Sequence, residues 1–211
     1  MFAEWVVSAA SPFFKEGVLS ASSTVVELGT GVSGVVALSL GPKVSHYIAT
    51  DQDYVLKLLR QNIAENAPVN SQSSSRKDKS RSKTKADPAK DKASNIAVLP
   101  LDWETSQASS ILPANGVDMI VACDCIYNEA LIDPFVGTCA DICRLRTEGA
   151  PTICIIAQQL RSPDVFEAWL KAFWNAFTVW RVPDDHLPAN LKEGSGFVIH
   201  VGILKLHTES T

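Results

Sequence analysis

Residues 24–34 read TVVELGTGVSG, an apolar, β-branched run that ends in glycines at 29, 31 and 34. Branched side chains favour extended backbone, and glycine admits the positive φ of a tight turn. The G-x-G-x-x-G spacing therefore predicts a buried strand that turns sharply into a helix, the turn serving a nucleotide-type cofactor. Many cofactors use such a turn, those of dehydrogenases among them, so by itself it leaves the cofactor open.

The rest of the chain continues the alternation. A short amphipathic helix is expected over 2–10, the helix after the glycines over about 33–41, and a second strand over 44–50. Residues 53–66 should be helical, with Val55, Leu58, Leu59 and Ile63 as the apolar face. Strands follow at 96–101, 117–123 and 152–158, and helices at about 129–146 and 163–176. Two β-like runs, 177–182 and 197–205, close the chain with no helix between them, so they should pair antiparallel. The predicted fold class is α/β: a Rossmann-like, mostly parallel sheet of five strands with helices on both faces, plus an antiparallel C-terminal strand pair.

With 211 residues and 46% hydrophobic content, one sizeable core and a single domain over 1–211 are the expectation. Residues 71–95 interrupt it with eight Lys or Arg, three Asp and almost no apolar residue, which predicts a disordered basic insertion. The whole chain carries −4, so the remainder outside this arm is acidic. A tolerated surface loop is the plain reading of the arm, and contact with RNA or a ribosome the sharper one. The longest uncharged run, 28–42, is broken by Gly and Ser and too short to span a bilayer. The start, MFAE, lacks the basic region of a signal peptide. A soluble monomer is expected, in the cytoplasm or also the nucleus, with no membrane partner. The five cysteines, 123, 125, 139, 143 and 154, form no C-x2-C pair and have no His at ligand spacing, so they read as reduced thiols and no metal is expected.

Asp51 ends the second strand, 20 residues after Gly31, where a carboxylate can accept both hydroxyls of an adenosine ribose. Glu27 narrows the choice. Inside a buried strand it needs donors or a cationic neighbour, and it would repel a pyrophosphate. S-adenosylmethionine, with sulfonium and ammonium groups and no phosphate, suits it better. At the third strand end, Asp102 could accept from the adenine amino group and Trp103 could offer the ring a flat face. A helix N-cap beside a core aromatic is the alternative for that pair.

The fourth strand ends in VACDCIYNEA, residues 121–130, which sets Asp124 and Tyr127 three residues apart at the edge where α/β sheets bind ligands. The combination of ELGTGVSG, TDQD, LDWE and ACDCIYNEA resembles the seven-strand protein lysine methyltransferases of the methyltransferase-16 family. The closing GSGFVIHVGILK looks most like its fungal ribosomal-protein lysine methyltransferase 5 group. The resemblance implies an S-adenosylmethionine-dependent enzyme that methylates a lysine of a protein, ribosomal or translation-related. Carried over, the Gly29-Thr30-Gly31 turn and Gly34, with Glu27, would lie under the methionine moiety, and Asp51 would hold the ribose. Asp102 and Trp103 would flank the adenine, and Cys123 would line the pocket where the family has a small residue. Asp124 and Tyr127 would face the acceptor amine. The family has a Trp upstream of its first helix that closes over the cofactor; Trp5 stands about two residues from that position and is assigned to the helix face.

Three rivals share parts of this pattern. A methyltransferase for a small molecule or another residue type shares all but the weight on Asp124 and Tyr127. A nicotinamide-dependent oxidoreductase shares the glycines but leaves Glu27 unexplained. A catalytically silent module that binds RNA would use the basic arm.

Overall fold

The computed structural model describes residues 1–9, 11–67 and 95–205. In chain order the strands are β1 (Thr24–Leu28), β2 (His46–Asp51), β3 (Ile96–Pro100), β4 (Met119–Cys123), β5 (Ile153–Gln159), β6 (Phe177–Arg181) and β7 (Phe197–Leu204). The helices are α1 (Phe2–Val6), α2 (Pro12–Lys15), α3 (Val35–Leu40), α4 (Asp53–Asn66), α5 (Ile132–Arg144) and α6 (Pro163–Ala176).

All seven strands join one sheet in the order β3-β2-β1-β4-β5-β7-β6. Neighbours among the first five run parallel, and β7 runs antiparallel to both β5 and β6. The expected antiparallel pair is present, and its last strand inserts between β5 and β6. The strand order reverses between β1 and β4, which opens the crevice at their C-terminal ends. The register sets Glu27 beside Ala49 of β2 and Val121 of β4.

Period-two alternation divides each central strand between two cores. Val25 of β1 joins Trp5, Leu40, Tyr47, Leu56 and Ile155 on the face covered by α1, α3 and α4. Val26 and Leu28 join Phe135, Trp169 and Phe173 on the face covered by α5 and α6. Helix α4 has the predicted bounds, but its buried stripe is Leu56, Leu59 and Ile63, while Leu58 is exposed. Asp53 in its first turn complements the helix dipole.

The N-terminal helix differs from expectation. It is shorter, α1 ending at Val6, and a separate single turn, α2, starts with Pro12 at its first position. Helix α5 is preceded by a separate 3-10 turn, Glu129–Leu131, whose Ala130 N–H donates to Asn128 Oδ1 at 3.1 Å. Other boundaries move by one or two residues, as ends do. The basic insertion expected at 71–95 lies outside the described residues except for Asn95. That side chain is fixed, its Nδ2 donating to the carbonyls of Gly41 at 2.6 Å and Val44 at 2.7 Å. Among the described residues no helix is long and apolar enough to cross a membrane.

Candidate active site

The site is assembled at the C-terminal ends of β1, β2 and β4, beginning with Glu27. Its position in β1 turns the side chain towards the α1/α3/α4 face, where only 2% of the residue remains exposed. The donor that burial demands is Tyr47, two residues before Ala49 on the same face of β2. Its hydroxyl donates to Glu27 Oε2 at 2.8 Å. Burial raises the carboxyl to about 7. The hydroxyls of Tyr47 and Thr30 lower it in part, and the nearby Asp51 adds a smaller rise. Burial, reinforced by Glu27, likewise pushes the Tyr47 phenol well above its ordinary value, so Tyr47 stays a donor.

The glycine turn is tied to β2 by three hydrogen bonds. Thr30 N–H donates to the Thr50 carbonyl at 3.0 Å, and Thr50 Oγ1 donates to the Glu27 carbonyl at 2.6 Å. Gly31 N–H donates to Asp51 Oδ2 at 2.8 Å, while Asp51 Oδ1 takes the N–H of Gln52 at 2.8 Å. Asp51 is thus oriented by the backbone, each oxygen keeping a lone pair for another donor. Gly34 N-caps α3, against Leu59 and Ile63 of α4.

Asp102 and Trp103 follow β3. Asp102 Oδ1 takes the N–H of Glu104 at 2.9 Å, and its own N–H donates to Ser106 Oγ at 3.0 Å, so this carboxylate closes a local turn and caps no helix. Trp103 packs edge-on against Phe135, with ring centres 5.1 Å apart, and reaches back to the turn at Gly29. Gly29, Trp103 and Cys125 therefore meet on the α5/α6 side of the turn, while Glu27 and Cys123 lie on the other. Burial pushes the Cys123 thiol up to about 12, helped by Glu27 and Asp124, so it is a neutral wall.

Asp124 sits directly after β4 with φ 55, the only non-glycine positive φ among the described residues. Its N–H donates to the Ala157 carbonyl at 2.8 Å, and its carboxylate forms an ion pair with Arg161. A pocket of about 190 Å³ opens beside it, lined by Cys123, Asp124, Ala157, Leu191 and Phe197 with Phe2 of α1. Tyr127 is 71% exposed. Trp5 belongs to the helix face, as expected: it packs on Phe13, and its Nε1 donates to the His186 carbonyl at 2.6 Å.

The structure thus gathers Glu27, Thr30, Gly31, Asp51 and Cys123 on one side of the crevice, with Gly29 and Trp103 behind the turn and Asp124 at the rim. Sequence reasoning passed over Tyr47, Arg161, Leu191 and Phe197. A Tyr in the middle of a buried strand one pleat from a buried Glu was a legible signal. The other three come from connections or from the late strand insertion and had none.

The sheet order and the crevice define the class: this is the fold of the class I S-adenosylmethionine-dependent methyltransferases. The methyltransferase domain of bacterial CtHen1-CN superposes with a TM-score of 0.60 at 13% identity, over 95% of this chain and 98% of that one. The N-methyltransferase NodS from Bradyrhizobium japonicum, solved with S-adenosyl-L-homocysteine, gives 0.54 at 11% identity, over 88% and 80%. Within that class the resemblance read from the motifs holds. Residues 83–171 match the family model described as lysine methyltransferase. Ribosomal lysine N-methyltransferase 5 of Zygosaccharomyces rouxii is 37% identical over 174 residues, 72% of this chain and 51% of that protein. The chain spans about half the length of the curated relatives it matches first.

S-adenosylmethionine fits the residues present. The acceptors Glu27 and Asp51 match a cofactor that presents donors and positive charge, and at Gly31 an added Cβ would meet no protein atom within 4 Å. The turn is open on the side from which such a ligand would approach.

Proposed function

We propose that the chain transfers a methyl group from S-adenosylmethionine to the ε-amine of a lysine in a protein of the ribosome or translation machinery. The observation that carries this reading is one sheet edge on which a buried acidic floor, Glu27 with Asp51 beyond it, adjoins the half-exposed carboxylate of Asp124. The floor favours a cationic, phosphate-free ligand. A carboxylate at the rim, next to a mostly apolar pocket, suits a long aliphatic side chain that ends in an amine. The ribosomal substrate class is supported by the name of the Z. rouxii relative. Residues 71–95, with eight Lys or Arg against three Asp, would supply contact with ribosomal RNA.

In this reading Glu27 and Asp51 hold the cofactor's methionine and ribose portions, and Trp103 with Asp102 borders its adenine. When bound, S-adenosylmethionine supplies an electrophilic methyl group whose S–C bond breaks as the amine lone pair forms the N–C bond, the electron pair returning to sulfur. The acceptor must therefore be neutral. A free lysine titrates near 10.4, so neutralising it at pH 7 costs about 4.6 kcal/mol. Asp124 orients the amine by accepting one of its N–H groups, the proton leaving to solvent, and Tyr127 narrows the approach. Holding the amine in line supplies most of the rate.

Asp124→Ala tests the assignment. Transfer of labelled methyl groups to lysine should be lost, while affinity for S-adenosylmethionine stays within about twofold, a modest change on the scale of 1.4 kcal/mol per decade. Equal loss of both would move Asp124 into the cofactor site and remove the ground for an amine acceptor.

A further inference from the structure

The β5–α6 connection brings a cation to the rim of the site. Left-handed backbone at Asp124 and its N–H bond to the Ala157 carbonyl turn the carboxylate towards residues 159–161. There the Arg161 guanidinium pairs through Nη2 with Asp124 Oδ2. The same guanidinium is steadied from its other edge, Nε donating to Gln159 Oε1 at 2.9 Å. The Arg161 backbone N–H bonds the Gln159 carbonyl at 3.0 Å, and the Gln159 N–H faces Asp124 Oδ1 at 3.4 Å. Three residues thus aim one charge. The pair is substantially exposed, with side chains 59% and 36% accessible, so it adds little to stability.

The electrostatic effect on an acceptor is a different matter. A carboxylate that accepts a hydrogen bond from an amine also favours its ammonium form, which cannot attack. At about 4 Å in water one unit charge displaces such an equilibrium by about 0.7 pH unit, roughly fivefold in the neutral fraction. We propose that Arg161 is a positioning residue that cancels the field of Asp124 at the acceptor, so that the carboxylate orients a lysine amine without holding it protonated. The inference rests on the reading that the acceptor is an amine. The other titratable groups about the site are Cys123 at the end of β4, Tyr127 beyond it, Glu27 on β1, Asp51 at the end of β2, and the Met1 amino group on the wall of the pocket, itself paired with Glu4 at 3.2 Å. None changes when Arg161 is replaced, so a difference between variants isolates the guanidinium.

The test compares the full chain with Arg161→Gln and Arg161→Lys. Binding of n-butylammonium, followed at the Asp124 amide by NMR, should tighten about fivefold in Arg161→Gln and stay near wild type in Arg161→Lys. With a ribosomal protein fraction as acceptor, Arg161→Gln should lower KM, and the rise of kcat with pH should move up by about 0.7 unit. Unchanged butylammonium affinity in Arg161→Gln overturns the inference, whatever the activity. Tighter butylammonium binding in a protein that methylates no lysine leaves the charge cancellation standing and overturns the proposed function instead.

Discussion

Tyr47 donates its hydroxyl to Glu27 Oε2 at 2.8 Å across the β1–β2 boundary, with both side chains closed off from solvent. Burial strips water from a carboxylate that can accept from four directions, and the hydroxyls of Tyr47 and Thr30 offset that loss only in part. That shortfall is why Glu27 titrates near 7, far above an exposed glutamate. The fold therefore holds an acid raised into the neutral range, whose ionised form a positive charge beside it would favour.

Stability should carry the mark of this acid. A carboxyl whose folded value is raised to about 7 from 4.5 makes its full contribution at acid pH and loses it as pH rises through 7. At about 1.36 kcal/mol per unit, wild type should lose about 3 kcal/mol of this contribution between pH 4.5 and 8. Glu27→Gln, which keeps an acceptor for Tyr47, should remove that slope. Urea melts of the two proteins at pH 5 and pH 8 measure it, and equal slopes would mean that Glu27 is not protonated in the fold.

Cofactor binding should be linked to the same proton. A cationic methionine end favours ionised Glu27, so binding releases a proton wherever the free protein still holds one. Affinity for S-adenosylmethionine should fall about tenfold per pH unit below 7 and level off above 8. Glu27→Gln should bind weakly and without that dependence. Calorimetry in buffers of different ionisation heat counts the proton directly, and a count near zero at pH 6.5 would remove Glu27 from contact with the cofactor.

Much of this architecture was legible because it rests on local periodicity. Helix α4 and helix α6 have the bounds read from their apolar spacing, and β1 is announced by Thr24, Val25 and Val26. Glu27 was conspicuous because a carboxylate in an apolar run demands an explanation. What local pattern does not encode is which elements meet. Tyr47 and Glu27 become partners only through the parallel register of β1 and β2, and Leu58 proved exposed because α4 turns a narrower stripe inward than its composition suggested. Arg161 lies in a connection between a strand and a helix, where an arginine carries no signal until the backbone of Asp124 turns towards it.

The glycines separate what the fold needs from what a ligand needs. Gly29 and Gly31 both hold positive φ, 67° and 69°, which costs an alanine about 1–2 kcal/mol. At Gly29 an added Cβ would also lie 2.6 Å from Cys125 Cβ and 3.3 Å from Trp103 Cζ2, a collision with packed side chains. Gly29→Ala should therefore lose about 3 kcal/mol of stability, backbone strain and overpacking together. At Gly31 the same methyl group enters open space. Gly31→Ala should lose only about 1–2 kcal/mol of stability but more than about tenfold in S-adenosylmethionine affinity, because the methyl group occupies the approach to the turn. Denaturant melts and calorimetry on the two variants resolve the pair. Undiminished affinity in a folded Gly31→Ala protein would mean that the cofactor does not pass over this turn, and the acidic floor would then need another occupant.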